Sequence, residues 1–232
     1  MRAGRVRVNG AVAELGDSAD PSVDRIELDG RRLELGERVF WMLHKPRGVL
    51  STTRDPRGRR TVIDLLPPEV RAQRLYPVGR LDLETEGLVI LTNDGEVAEA
   101  LLHPSRGSER EYRVTVRGRL PRDAAQCLRD GVELDDGRTA PAKVGRTRYD
   151  AKEDTTRFTL TMIEGRKRQI RRMLGAQGHP VRELVRTRMG PLVLGDLRLG
   201  EARALSEAER SALLTHAERH GARLSERHGN ER

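Results

Sequence analysis

The longest apolar runs in this 232-residue chain are strand-length pieces such as GLVIL at 87–91, far below the roughly 20 residues of a membrane-spanning helix. The chain must therefore build its core from short elements. EYRVTVRG places Tyr112, Val114 and Val116 on one face, and TRFTLTMIEG alternates Phe158, Leu160 and Met162, so both read as half-buried strands. VFWMLHKPRGVLSTT starts as a strand and leads into a basic loop, RDPRGRRT, and a turn at Pro67 and Pro68. VRELVRTRMGPLVLGDLRLGEARAL is again strand-like. Helical spacing appears in NDGEVAEALLHP, with a proline stop, and in PRDAAQCLRDG, with a first-turn proline and a closing glycine. It returns in RKRQIRRMLGAQG, through Ile170, Met173 and Leu174, and in SEAERSALLTHAERH, which opens on a Ser206 and Glu209 capping box. Strands outnumber helices without alternating regularly with them, which predicts an α+β fold with a largely antiparallel sheet.

Residues 4–35 alternate in shorter pieces, RVRVNG, VDRIELDG and RRLEL, separated by Asn-Gly and Asp-Gly turn signals. This predicts a small β unit over 1–36 with few apolar residues for a core. The main domain is expected over 37–217, followed by a polar tail at 218–232.

The opening MRAGRVRVNG has no apolar signal core, so the chain reads as soluble and not exported. Cys127 is the single cysteine, which rules out an internal disulfide and a paired-cysteine zinc site and fits a reducing cytoplasm. It is expected as a small packed residue on a helix. Forty-four Lys and Arg against thirty-six Asp and Glu give a net charge of +8, which favours a polyanionic partner. Arginine far outnumbers lysine; its planar fork suits phosphate, although a GC-rich genome enriches arginine without any function. The six aromatics, Phe40, Trp41, Tyr76, Tyr112, Tyr149 and Phe158, are scattered, which argues against a base-stacking sheet platform.

Common catalytic signatures are missing: there is no GxxxxGK[ST] loop, no strand followed by GxGxxG and no GxSxG elbow. His216 and His220 stand four apart but lack a third ligand, so they read as a solvated face and no metal or cofactor is expected. Two features remain. EGRKRQIRR gathers Arg166, Lys167, Arg168, Arg171 and Arg172 at a strand-to-helix junction, which is either a phosphate site or a solvated charge run with one arginine turned inward. GRLDLETEGLVILT puts Arg80, Asp82, Glu84 and Glu86 on one face if it is extended. A nucleophilic carboxylate must stay ionised, and a close arginine allows that; an acidic strand edge fits the same pattern.

The order of the blocks HKPRGVLSTTRDPRGRRTVIDLLP, YPVGRLDLETEGLVILTNDG, LLHPS, EYRVTVRG, EGRKRQIRRML and VRELVRTRMGPLVLGDLRLGEARALSEAE closely resembles the RsuA-type pseudouridine synthases over residues 38–215. The resemblance implies that fold, with a mixed sheet and a central RNA-binding cleft. The N-terminal GRVRVNGAVAELGDSADPSVDRIELDG resembles the second half of the alpha-L RNA-binding module, whose two helices would precede Met1. It also implies the reaction: a uridine in RNA is detached from its ribose, rotated and reattached through carbon 5, without cofactor or metal. EGRKRQIRRM is similar to members acting on large-subunit ribosomal RNA, so the expected partner is that RNA, with a monomeric, cytoplasmic enzyme and no membrane. Small-subunit ribosomal RNA, transfer RNA and a noncatalytic assembly factor are the alternatives.

By the same resemblance, Asp82 is the nucleophile, attacking ribose or base, and Arg80 fills the space of the flipped uridine. Tyr112 packs on the base, Arg171 pairs with Asp82, and Leu184 is an apolar wall. Arg166, Lys167, Arg168 and Arg172 are left for phosphates, and Lys45, Arg47 and Arg186 extend the RNA track. The family's usual lysine before the glutamate of EYRV is Arg110 here.

Overall fold

The computed structural model describes residue 1 and residues 3–19, 23–33, 36–102 and 108–228, with side chains through residue 219. It divides into two compact units, Met1–Arg38 and Val39–Arg232.

The first unit is a four-stranded antiparallel sheet of β1 (Val6–Val8), β2 (Ala11–Val12), β3 (Ile26–Leu28) and β4 (Arg31–Arg32), in the order β2-β1-β3-β4. Its two hairpins turn where the sequence signals them: Asn9 and Gly10 have φ of 51° and 88°, and Asp29 and Gly30 have 53° and 75°. These are the left-handed values that a tight two-residue turn requires. Arg5 Nε donates to Asp29 Oδ1 at 2.8 Å across the sheet.

The second unit carries β5 (Phe40–Lys45), α1 (Pro68–Arg71), β6 (Tyr76–Pro77), β7 (Glu86–Thr92), α2 (Gly95–Leu102), β8 (Arg110–Arg117) and α3 (Arg122–Asp130). It continues through β9 (Lys143–Val144), β10 (Arg148–Asp150), β11 (Thr155–Met162), α4 (Gln169–Gly175), β12 (Val181–Met189), β13 (Leu192–Val193), β14 (Ala202–Ala204) and α5 (Glu207–His228). Its sheet follows the path β10-β11-β8-β12-β7-β5-β14, with β13, β6 and β9 pairing at its sides. Strand pairs are antiparallel except β12 with β7, where Val185 faces Glu86 and Arg186 faces Gly87 in parallel. The α+β, largely antiparallel expectation holds, and the single parallel seam is where the two halves of the sheet meet.

β7 is the apolar run of the sequence, and it is buried on both faces. Val89 and Leu91 enter a core with Leu43, Val114, Leu160 and residues of α3 and α4, while Leu88 and Ile90 enter a second core with Met42, Val185, α2 and α5. Burying four such side chains contributes about 2 kcal/mol each, so this strand anchors whatever precedes it. The capping box forms as read: Ser206 N donates to Glu209 Oε2 at 2.8 Å and Glu209 N to Ser206 Oγ at 3.3 Å.

Several expectations are corrected. Residues 83–84 form a turn and the strand starts at Glu86, so the alternating acids do not share one extended face. Helix α5 runs on to His228, through residues expected as tail. Cys127 is exposed on α3 rather than packed, because the buried face of that helix is built from Ala124, Ala125 and Leu128. His216 is half-buried with Nε2 2.9 Å from Ser108 Oγ, while the side chain of His220 and the HPS of LLHPS, 103–105, lie outside the described residues.

The seam depends on Gly87. Its φ is +115°, and a Cβ there would stand 2.3 Å from the carbonyl oxygen and 2.4 Å from the nitrogen of Arg186. Both are backbone atoms that cannot step aside. Gly87→Ala is expected to lower unfolding free energy by about 4 kcal/mol, near the top of the range for one substitution. Denaturant titration checks this, and a loss under about 1 kcal/mol would show that the seam is not held closed by this contact.

Candidate active site

Asp82 sits in neither helix nor strand. Its segment, residues 81–85, connects the β6 end of the chain to the seam; Leu81 and Thr85 at its ends are buried, and peptide groups that enter the interior must find partners. Five consecutive carbonyls do so. Leu81 O accepts from Ser51 Oγ at 3.1 Å, Asp82 O from Thr85 N at 3.0 Å and Leu83 O from Gly48 N at 2.9 Å. Glu84 O accepts from Arg171 Nη2 at 3.0 Å and Thr85 O from Lys45 Nζ at 2.8 Å. Ser51 Oγ also accepts from Leu81 N at 3.1 Å. The donors come from the HKPRGVLS block, the RQIR block and the segment's own turn, so three stretches far apart in sequence fix one backbone.

Asp82, half-buried, opens into a cavity of about 700 Å³, within the usual range for small-molecule sites. The cavity brings together Arg80, Asp82, Tyr112, Arg171 and Leu184 from the turn, β8, α4 and β12, together with Arg166, Lys167 and Arg168. Tyr112, Met162, Ile170 and Leu184 give it apolar walls. Arg80 and Lys167 are exposed and make no hydrogen bond or ion pair among the described residues.

Arg171 does turn inward, but it holds backbone rather than a carboxylate. Nη1 donates to Val181 O at 3.3 Å, Nη2 to Glu84 O, and Nε is buried without a partner. Burial lowers its pKa; Glu84 and Asp82 raise it, and Arg168 and Arg47 lower it. Asp82 thus lies within electrostatic range, with no ion pair between the two.

Of the expected RNA track, Lys45 and Arg186 need correction. Lys45 is 0% exposed and donates to Pro46 O at 2.9 Å as well as to Thr85 O. Arg186 is 2% exposed, donates from Nε to Leu88 O at 2.8 Å, and lies opposite Tyr112 on the neighbouring strand. Its charge is opposed by burial and favoured by Tyr112, although Nη2 has no completed hydrogen bond. Neither side chain can meet a phosphate: both stand inside the sheet, serving carbonyls that the seam leaves open. Arg47 and Arg172 lie outside the cavity lining. Arg47 pairs with Glu86 at 2.9 Å, and Arg172 binds Asp135 and Asp136, holding the Asp136 carboxyl at about 2. Arg166 lines the cavity but donates to Gly137 O at 2.9 Å and Arg138 O at 2.7 Å, and Arg168 is only loosely paired with Glu84 at 3.4 Å. Ser51, Gly48 and Gln169 contribute without having been singled out in the sequence; their signal is only their place in the HKPRGVLS and RKRQ blocks.

Burial pulls Lys45 down to about 8, against the pull of Glu86 and Asp82 in the other direction. Between about 8 and its ordinary 10.5 the unfolded chain binds a proton that the folded chain has released, so folding stability rises with pH across that window. Measured against Lys45→Met, the unfolding free energy of the parent should gain on the order of 3 kcal/mol from pH 8 to 10.5. Parallel curves for the two proteins would mean that burial does not lower the pKa of this lysine.

The comparisons agree with the geometry. A model of the RNA pseudouridylate synthase family matches residues 39–176. Ribosomal large subunit pseudouridine synthase B of Bacillus subtilis is 43% identical over 210 residues, covering 90% of this chain and 85% of that protein. An uncharacterized RNA pseudouridine synthase of Aquifex aeolicus is 40% identical over 214 residues, 90% of this chain and 84% of the other. A solved structure described as a pseudouridylate synthase superposes with a TM-score of 0.68 and 29% identity, over 91% of this chain and 90% of that one. With the family's pattern spanning the sheet and its cavity, this chain belongs to the RNA pseudouridylate synthase family.

Proposed function

We propose that the protein converts a specific uridine of large-subunit ribosomal RNA to pseudouridine, with Asp82 as the nucleophile. The observation that carries this reading is that Asp82 lines an apolar-walled, cation-rimmed cavity from a turn whose five carbonyls are all hydrogen-bonded. A uridine in a stem is out of reach of any carboxylate, so it must leave the stack, and Arg80, exposed and unpaired beside Asp82, fills the space it leaves. Tyr112 receives the base, a contact worth about 1–3 kcal/mol in other base-stacking sites. Leu184 and Met162 keep water from the reacting face.

The bond from uracil N1 to ribose C1′ breaks and a bond from C5 to C1′ forms. N1 gains a proton and C5 loses one, so the product is an isomer of the substrate. Attack by Asp82 at the ribose or at the base leads to the same product. Arg171 positions the turn by holding Glu84 O and adds positive potential near the carboxylate. Lys167 and Arg168 face phosphates. The relative from Bacillus subtilis is named for the large ribosomal subunit, which supports that substrate. The unit Met1–Arg38, with Arg7, Arg31 and Arg32 exposed, serves as an RNA-binding module, and the protein works as a cytoplasmic monomer.

Purified protein is expected to release tritium from ribosomal RNA labelled at uridine C5. Asp82→Asn should reduce release by about a thousandfold or more, while leaving salt-sensitive RNA affinity within about threefold. Loss of release and binding together would make the aspartate structural, and no release by the parent protein would overturn the reading.

A further inference from the structure

The basic segment RDPRGRR, residues 54–60, is not accounted for by the chemistry above. It holds four arginines, and one aspartate organises them. Asp55 has a side chain 7% exposed, and Oδ2 accepts from Arg57 N, Arg59 N and Arg59 Nε, each at 3.1 Å. Its Oδ1 accepts from Arg59 Nη2 at 2.8 Å, and its carbonyl accepts from Gly58 N at 3.1 Å. The loop is closed at its base, where Leu50 N donates to Arg60 O at 3.0 Å and Val62 N to Leu50 O at 2.9 Å. Thr61 N is tied to Asp64 Oδ2 at 2.7 Å. Thr52 and Arg59 line the cavity that contains Asp82.

This cage neutralises Arg59 alone. Arg54, Arg57 and Arg60 remain exposed, with no hydrogen bond or ion pair from their guanidinium groups among the described residues. Like charges gathered in one seven-residue loop repel one another, and a merely solvated charge run has no need of a carboxylate, its side chain 7% exposed, that binds two of the loop's own amides. A polyanion approaching the cavity removes the repulsion, and a loop already closed loses little further entropy on binding.

We infer that Thr52–Arg60 is a preformed clamp for RNA backbone phosphates at the cavity mouth, through Arg54, Arg57 and Arg60, with Asp55 as its positioning residue. This rests on the RNA-acting function proposed above. Holding Asp55 at about 2, as the Arg59 ion pair does, keeps the cage closed at every physiological pH.

With the cage as the source of order, deleting a negative charge from this loop weakens binding to a negatively charged partner. The test measures affinity for a short RNA hairpin with unpaired uridines in its loop, as a function of salt. The triple variant Arg54→Gln, Arg57→Gln and Arg60→Gln leaves the cage intact. It should bind about tenfold or more weakly near 0.1 M salt, with a log–log salt slope shallower by about 2 to 3. Asp55→Ala, though more cationic, should bind about three- to tenfold more weakly, also with a shallower slope. An unchanged slope in the triple variant overturns the clamp. If Asp55→Ala is folded by thermal melting and binds as tightly as the parent or tighter, free charge suffices and the positioning role is overturned; if it fails to fold, the triple variant decides. Failure of the parent to bind RNA at all would overturn the RNA-acting function itself.

Discussion

The site depends on the capture of five carbonyls in a row. Residues 81–85 belong to no regular element, yet they lead directly into the most buried strand of the sheet, where an open peptide group costs about as much as a lost hydrogen bond. Ser51, Gly48, Arg171 and Lys45 supply the donors, and the turn closes on itself through Thr85. Asp82 is therefore held from behind by its own backbone and leaves its carboxylate open to the cavity. This gives the order of sequence blocks a physical meaning: HKPRGVLS, GRLDLETEG and RQIR are three parts of one support.

The parallel seam explains the two buried cations. Where β12 runs beside β7 for two residue pairs only, and shifts register against β8 between Arg186 and Arg188, regular ladder bonds run short. Arg186 reaches back to Leu88 O, and Lys45 to Thr85 O. A buried charge is tolerated when donors and acceptors satisfy it; here each long side chain acts as a movable donor where the backbone has none to offer. Gly87 is the complementary device, giving up its side chain so that the Arg186 backbone can pass. The same crossing places Arg186 behind Tyr112, so the seam and the cavity wall are one structure.

Periodicity made the strands and helices legible, because Val114, Leu160 or Ile170 can bury a face in only one way. It misled at 80–86, where acids two apart mimic a strand edge although a turn at 83–84 breaks it. Charge was the least legible property. Lys45 and Arg186 look like surface cations in a basic sequence, and Arg172 looks like a phosphate ligand. Their partners, Thr85 O, Leu88 O and Asp136, are set by register and by a loop some thirty-six residues away, which no local pattern encodes. Asp82 was singled out by the resemblance of the whole set of blocks, and the geometry supplies the reason that such a set must travel together.

The most direct test of the account is a map of pseudouridine across the RNA of cells that lack the gene, complemented with either the parent protein or Asp82→Asn. One uridine, in large-subunit ribosomal RNA, is expected to lose modification in the deletion, to recover it with the parent protein and to stay unmodified with the variant. Restoration by Asp82→Asn, or an unchanged map in the deletion, would contradict it.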